Sequence, residues 1–477
     1  MEAMTAREIG TAGSAAGLDA AFRAQREACS REPMPDARTR REWLQRLADL
    51  LRRNERAICD AIDSDFGRRP APETRILELF PSLSSVRYAR AHVRRWMRPE
   101  RRHVSIWFQP GRAELRYQPL GVVGIIVPWN YPLFLAVGPL AASLAAGNRS
   151  MIKMSEYGPA LGALLAGLMA DVFPADLVTV VLGNVQVARD FAALPFDHLL
   201  FTGSTAVGRD VMAAAAKNLT PVTLELGGKS PAIVAPGYNL ATAAQRIVFG
   251  KLVNAGQTCI APDYVLLPKG EEDAFLAAVR SCAKQFYGTA ASPDYASIAH
   301  DRQHTRLLAV LADAEAKGAR IEPILEPGAP GPRRLPPVAL FNCTGDMRVM
   351  QEEIFGPLLP IVPYDSLEHA VQYVTGRDRP LSLYVFDGDR GRVDRLLDAT
   401  HSGGVTVNDC LLHIGQDDLP FGGVGPSGMG RYHGPEGFRT FSHARSVFRQ
   451  SRVNGLPALY PPYGRRLGEW LLKLMLR

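Results

Sequence analysis

The run Gly121-Val-Val-Gly-Ile-Ile-Val127, broken by Pro128-Trp129-Asn130-Tyr131-Pro132, constrains the fold of this 477-residue chain more than any other stretch. A short, continuous apolar run rich in β-branched residues reads as a strand buried on both faces, as in a parallel sheet. Leu133 to Ala146 then reads as a helix, and the alternation repeats: strands at Ser150–Lys153, Leu177–Leu182 and His198–Phe201, with a helix at Pro159–Phe173 between them. This order predicts a doubly wound α/β sheet with ligand-binding loops at the strand ends. A second α/β series follows, with strands at Ala232–Ala235, Tyr264–Leu267 and Leu383–Phe386 and a helix at Glu271–Gln285.

The flanking regions read differently. Residues 18–66 and Thr74 to Arg98 carry apolar residues at helical spacing, including Trp43, Leu44, Leu47, Leu50 and Leu51. Met1 to Gly17 is expected to be a loose tail without the apolar centre of a signal peptide, and Met4 is a second candidate start. Pro327 to Pro337 is expected to be a surface loop. A chain this long needs more than one core. With 47% hydrophobic and 22% charged residues it has the balance of a soluble globular protein.

No stretch approaches the roughly 20 apolar residues that span a bilayer. The six cysteines lie without CxxC or metal-ligand spacing, and there is no HExxH, so no metal site is expected. Scattered thiols in a long chain point to a reducing, cytoplasmic setting. The net charge of +7 gathers between Arg87 and Arg116, beside Trp96, Trp107 and Phe108. No nucleic-acid motif accompanies it, and a solvated helix face leading into a hairpin accounts for it.

Three short motifs carry chemistry. Phe201-Thr-Gly203-Ser204-Thr-Ala-Val-Gly208 follows a strand and opens a helix, a place where backbone N–H groups meet phosphate. Its spacing is not GxGxxG, so a purely structural turn fits it equally well. Leu224-Glu225-Leu226-Gly227-Gly228 sets one acid among leucines, where burial raises a carboxyl pKa toward general-base work; a paired or solvated carboxylate is the plainer reading. Asn254-Ala-Gly-Gln-Thr-Cys259 sets a thiol among small and polar residues; an inert buried cysteine is the plainer reading there.

Taken together, these residues resemble the aldehyde dehydrogenase superfamily from about residue 20 to 450. Pro128-Trp-Asn130, Lys153-Met-Ser-Glu156, Gly203 to Gly208, Glu225-Leu-Gly-Gly-Lys229, Gly256-Gln-Thr-Cys259 and Glu352-Glu-Ile-Phe-Gly-Pro357 stand in the family order. The form Cys259-Ile-Ala-Pro-Asp-Tyr264 is similar to the class 3 branch, and bacterial coniferyl aldehyde dehydrogenases are its nearest look-alikes. The resemblance implies an α/β fold with a Rossmann-like cofactor domain (residues 1–98 and 121–224), a catalytic domain (225–407) and a β bridging arm with the tail (99–120 and 408–477). It implies oxidation of an aromatic or a medium- to long-chain aldehyde to the acid, through a thioester on Cys259. Asn130 and the Cys259 N–H would form the oxyanion hole, and Glu225 would activate the hydrolytic water. Lys153 and Glu156 would grip the adenosine ribose. Gly203, Ser204 and Gly208 would receive the pyrophosphate, and Glu353 and Phe355 the nicotinamide side. A carboxylate at Glu156 favours a ribose hydroxyl over a phosphate, which implies NAD with NADP possible.

Other readings remain open at this point. A CoA-acylating dehydrogenase would not need Glu225, and a catalytically silent relative would not need Cys259, Glu225 or Asn130. A cofactor-free thiol hydrolase would not need the nucleotide motifs. The resemblance also implies a homodimer bridged through the hairpin near Arg98 to Leu120 and Ser446–Gln450. Arg465 to Arg477 reads as an amphipathic helix with Leu467, Trp470, Leu471, Leu474 and Met475 on one face. That face is expected to dock on protein, and at most to touch a membrane surface weakly.

Overall fold

The computed structural model describes residues 15–328 and 331–477. The expected tail falls mostly outside these residues; Ala15, Ala16 and Gly17 already belong to the first helix, Ala15–Arg31. Helices Ala37–Arg53 and Glu55–Phe66 follow, the former capped by the Asp36 carboxylate accepting the Thr39 N–H at 2.8 Å.

The strands fall into three sheets. β1 (Glu100–Arg102) and β2 (Arg112–Pro119) make an antiparallel hairpin. β3 (Val122–Ile126), β4 (Arg149–Lys153), β5 (Val178–Val181), β6 (His198–Thr202) and β7 (Val222–Glu225) form a parallel sheet. β8 (Pro231–Val234), β9 (Tyr264–Pro268), β10 (Arg320–Pro323), β11 (Val338–Phe341), β12 (Leu358–Tyr364), β13 (Ser382–Phe386) and β14 (Gly404–Val407) form a second, mostly parallel one. β15 (Gly428–Met429) returns to pair antiparallel with β7, and β16 (Ser442–Arg449) pairs antiparallel with β2.

The first sheet runs β15-β7-β6-β3-β4-β5. The chain leaves β3 toward β4 and β5, then crosses to β6 and β7 on the other side, so a switch point opens between β3 and β6. Register aligns Ile126 with Lys153 and Phe201, and Thr202 with Glu225, which gathers the ends of these strands at one edge. The second sheet runs β10-β11-β12-β9-β8-β13-β14. Cys259 lies just before β9 and Glu353 just before β12, at the N-terminal edge of that sheet.

Helix Phe134–Ala146 packs between β3 and β4 of the first sheet and helices Ala37–Arg53 and Phe80–Trp96, every residue of it buried. That is why Leu133 to Ala146 reads as apolar on all sides in the sequence. Two local features depart from expectation. The segment Thr74 to Arg98 is not one regular helix: a π-turn at Arg75–Leu79 interrupts it between Ala71–Thr74 and Phe80–Trp96. The C-terminal helix Arg466–Met475 leaves Leu467, Trp470, Leu472 and Leu474 exposed, so the described residues do not cover its apolar face. No helix among the described residues is long and apolar enough to cross a membrane.

Candidate active site

Cys259 follows a turn built against steric preference. Asn254 and Ala255 have φ of 52° and 50°, and Gly256 continues at 76°. Left-handed residues other than glycine persist where their surroundings dictate them. Here a Cβ on Gly256 would collide with the Gly356 carbonyl, so the turn packs directly on the backbone after Phe355. Gln257 braces it from inside: its Nε2 donates to the carbonyls of Asn254 (2.8 Å) and Ser297 (3.0 Å), and its Oε1 accepts the Ala299 N–H (2.9 Å).

Asn130, at the end of the break after β3, is buried, and its Nδ2 donates to the Gln257 carbonyl at 3.2 Å. Tyr131 bonds the Thr258 hydroxyl at 2.6 Å. The sequence-predicted Asn130 and its neighbour Tyr131 are therefore bonded to Gln257 and Thr258, the two residues before Cys259. Cys259 itself is half-buried. Burial, with Glu353 and Glu225 facing it, pushes its thiol well above the ordinary value.

Glu225 ends β7, 2% exposed, and neither carboxylate oxygen has a partner. Burial raises its pKa far above the usual range, which makes it a strong base once water reaches it. Glu353 rests against the pair Gly227-Gly228: it accepts the Gly228 N–H, and a Cβ on Gly227 would overlap its carboxylate. Burial lifts it to about 8, and its Oε1 lacks a partner. The Lys229–Asp263 ion pair and Arg306 hold the segment carrying it. Lys229 donates to the Val349 (2.8 Å) and Glu352 (3.0 Å) carbonyls, Asp263 accepts the Ile354 N–H (3.0 Å), and Arg306 donates to the Glu353 carbonyl (3.3 Å).

The other predicted positions line the switch point. Lys153 closes β4, 1% exposed, donating to the carbonyls of Met154 (2.6 Å) and Gly183 (2.8 Å); Glu156, exposed, keeps its charge toward it. Gly203 donates to the Glu225 carbonyl at 3.0 Å, and exposed Ser204 caps helix Thr205–Ala216. Gly208 gives room to the Leu226 side chain. Phe355, at a φ of 53°, sets its ring edge-on to Trp129 at 5.3 Å. These residues fit a dinucleotide: the first turn of helix Thr205–Ala216 and a buried lysine at the end of β4 follow strands of the first sheet, and the orphaned Oε1 belongs to Glu353, beside Gly227 just after β7. No group of three metal-ligand side chains gathers among the described residues.

Sequence reading missed the opposite wall. Tyr432 is fully buried with its hydroxyl unpartnered, and the charges of Glu225 and Cys259 both reach its phenol. His433 beside it has no partner for either ring nitrogen and stacks on Phe421 at 5.4 Å. Burial holds its pKa near 4. These residues follow the glycine-rich stretch at Pro420–Gly430, whose glycines drew attention while the ring side chains after it carried no motif.

An aldehyde dehydrogenase family model matches residues 3–447, and the chain belongs to that family. It is an oxidoreductase that oxidises an aldehyde to the acid with NAD(P). Within the family it is 55% identical over 461 residues to a probable coniferyl aldehyde dehydrogenase of Pseudomonas aeruginosa, covering 96% of each chain. It is 47% identical to a coniferyl aldehyde dehydrogenase of a Pseudomonas species, covering 91% of each. Among solved structures, Staphylococcus aureus AldH in a substrate-bound state superposes with a TM-score of 0.90 at 35% identity, covering 96% of this chain and 99% of that one. A Mycobacterium tuberculosis aldehyde dehydrogenase complexed with NAD+ gives 0.83 at 30% identity, covering 91% and 90%.

Proposed function

We propose that this enzyme oxidises a hydroxylated aromatic aldehyde of the coniferaldehyde type, with Cys259 as nucleophile, Asn130 and the Cys259 N–H as oxyanion hole and Glu225 as base. The observation that carries this reading is the pairing of a half-buried thiol with a buried, unpartnered Glu225 beneath a wall of aromatic rings. The Cys259 thiol gives up its proton to water as its sulfur adds to the carbonyl carbon, and the Asn130 amide and the Cys259 N–H take the charge that develops on the carbonyl oxygen. NAD, when bound, supplies the acceptor for the hydride that converts this adduct to the thioester. Glu225 then takes a proton from the attacking water, and the acid leaves Cys259 as thiol.

Lys153, Glu156, Ser204 and the Gly203–Gly208 turn would hold the adenosine and pyrophosphate side, and Glu353 and Phe355 the nicotinamide side. Glu156 supports NAD over NADP, because a 2′-phosphate would meet its charge. The first sheet, with residues 1–98 and 121–224, serves as the dinucleotide-binding unit and residues 225–407 as the catalytic one. In residues 408–477, the β7 partner strand and the Tyr432 wall belong to the site, beyond a bridging role. The unpartnered Tyr432 hydroxyl and His433 nitrogens support a substrate with a polar ring substituent, and the names of the Pseudomonas relatives agree.

The enzyme acts in the cytoplasm as a homodimer joined at the β1-β2-β16 sheet, whose outer strands have no further strand partner among the described residues and whose β16 exposes Phe448. The C-terminal helix, basic and apolar, makes at most weak peripheral contact with anionic membrane when no partner covers it. Ranking kcat/KM over aldehydes from hexanal to coniferaldehyde tests the substrate. Coniferaldehyde is expected to lead by about tenfold, the worth of one good hydrogen bond. Preference for hexanal would remove the aromatic reading.

A further inference from the structure

A buried ionic network, unrelated to any motif in the sequence, joins the two loops on either side of the thiol. Arg69 is fully buried; its Nη1 lies 2.5 Å from Glu78 Oε1 and 3.1 Å from the Asn130 carbonyl oxygen, and its Nε is 3.5 Å from Glu73 Oε1. Glu78 accepts the N–H groups of Leu133 (2.7 Å) and Phe134 (3.1 Å), immediately after Asn130. Glu73 accepts the Asn254 N–H at 2.9 Å, at the first left-handed residue of the Cys259 turn. The Asn254 amide closes the circuit, donating at 3.1 Å to both the Asn130 and the Gln257 carbonyls.

We propose that Arg69, Glu73 and Glu78 are positioning residues that clamp the Asn130 loop to the Asn254 turn and so hold the oxyanion hole in register. The proposal rests on the reading of Asn130 as an oxyanion donor. The local backbone is built for it: the π-turn at Arg75–Leu79 closes i→i+5 hydrogen bonds, which brings residues five apart, Glu73 and Glu78, toward one face. A regular helix would turn one of them away. Arg69 is suited to the junction because Nη1 donates to both Glu78 and the Asn130 carbonyl while Nε, a second nitrogen of the same guanidinium, faces Glu73 at ion-pair distance, a span that the single nitrogen of a lysine does not cover. The Asn130 carbonyl, held by both Arg69 and Asn254, cannot rotate its peptide plane without breaking two bonds. Its side chain stays aimed toward the Cys259 turn in consequence.

The test uses the full-length enzyme and two readouts of acylation: the NADH burst, and release of p-nitrophenol from p-nitrophenyl acetate without nucleotide. NAD affinity and thermal unfolding are followed beside them. Asn130→Ala sets the scale, an expected fall of about 100-fold in acylation. Glu73→Ala should slow both acylation readouts by about tenfold or more, since small misplacements in a preorganised site are costly, while NAD affinity stays within about twofold. Glu73→Gln should recover most of the rate, because its amide oxygen still accepts the Asn254 N–H. Arg69→Lys should remain slow despite its retained charge. Should Glu73→Ala fail to fold, Glu73→Asp and Arg69→Lys decide by the same readouts. A slow Asn130→Ala beside folded Glu73 and Arg69 variants that acylate at the parent rate would overturn the clamp. An Asn130→Ala variant of normal rate would instead overturn the oxyanion-hole reading.

Discussion

The two sides of Cys259 are built on opposite principles. On the side of Asn130, Asn254 and Gln257, the side-chain amides bond backbone groups, Gln257 with three such bonds, and one buried atom, Asn254 Oδ1, lacks a partner. On the side of Glu225, Glu353, Tyr432 and His433, six buried polar atoms have no partner. An unsatisfied buried group costs about 1–3 kcal/mol. A fold tolerates several together where a ligand or water satisfies them in the working state. The more fully bonded side therefore fixes geometry, and the open side keeps its bonding capacity for water, nucleotide and substrate.

This contrast can be broken most severely at the boundary. Cys259→Ala is expected to lower NADH formation by about 10⁴-fold or more while NAD affinity changes by less than about twofold, because the thiol belongs to neither binding set. A variant that keeps substantial turnover would show that another residue forms the covalent bond. On the open side, Glu225→Gln should cut steady-state turnover by about 10²–10³-fold, with an NADH burst preserved. Stopped-flow absorbance separates the two phases, and an unchanged steady state would remove Glu225 from the mechanism.

Smaller effects sharpen the contrast. Tyr432→Phe and His433→Phe should each reduce kcat/KM for coniferaldehyde by about tenfold and leave hexanal nearly unaffected, the value of one hydrogen bond to the ring substituent. Equal losses for both aldehydes would make these residues structural. Glu156→Gln should raise the NADP/NAD ratio of kcat/KM several-fold, about 1 kcal/mol for a partly screened charge. A constant ratio would place Glu156 away from the ribose.

Titration separates the groups by sign. Burial holds His198, His413 and His433 near 4, below their ordinary 6.5. The stability they contribute is complete above about pH 6.5 and is lost as pH falls through 4. Glu73 and Glu353, raised to about 7 and about 8, act in the reverse sense: the folded state binds more protons than the unfolded one between about pH 4.5 and 8, so their contribution declines as pH rises through that window. His433→Phe should therefore flatten the fall in Tm between pH 6.5 and 4, and Glu353→Gln the decline between pH 4.5 and 8. Thermal unfolding across these windows checks both.

The legible parts of the molecule were those whose chemistry is local in sequence. The apolar run Val122–Ile126 becomes a buried central strand, and Leu133–Ala146 a buried helix, because one segment carries the whole signal. Asn130 and Cys259 belong to short motifs, and the fold bonds Asn130 to Gln257, two residues before Cys259. Arg69, Glu73 and Glu78 were illegible because charged residues at helical spacing read as a solvated face, and only the π-turn and the packing against Asn130 reveal Arg69 and Glu78 as buried and Glu73 as nearly so. Tyr432 and His433 escaped for a related reason: a tyrosine and a histidine after a glycine-rich stretch have no meaning until a distant acid and thiol are set beside them. The exposed face of helix Arg466–Met475 shows the limit of periodicity, which finds an apolar stripe without saying what covers it.

The most direct test of the central claim is the mass of the enzyme during its first turnover. The protein is mixed with NAD and excess coniferaldehyde, quenched in acid within milliseconds, digested and mapped by mass spectrometry. A feruloyl adduct is expected on the peptide containing Cys259, at higher occupancy in Glu225→Gln, where the acyl group waits for water. An NADH burst without any acyl adduct on Cys259, or with the adduct on a different residue, would contradict it.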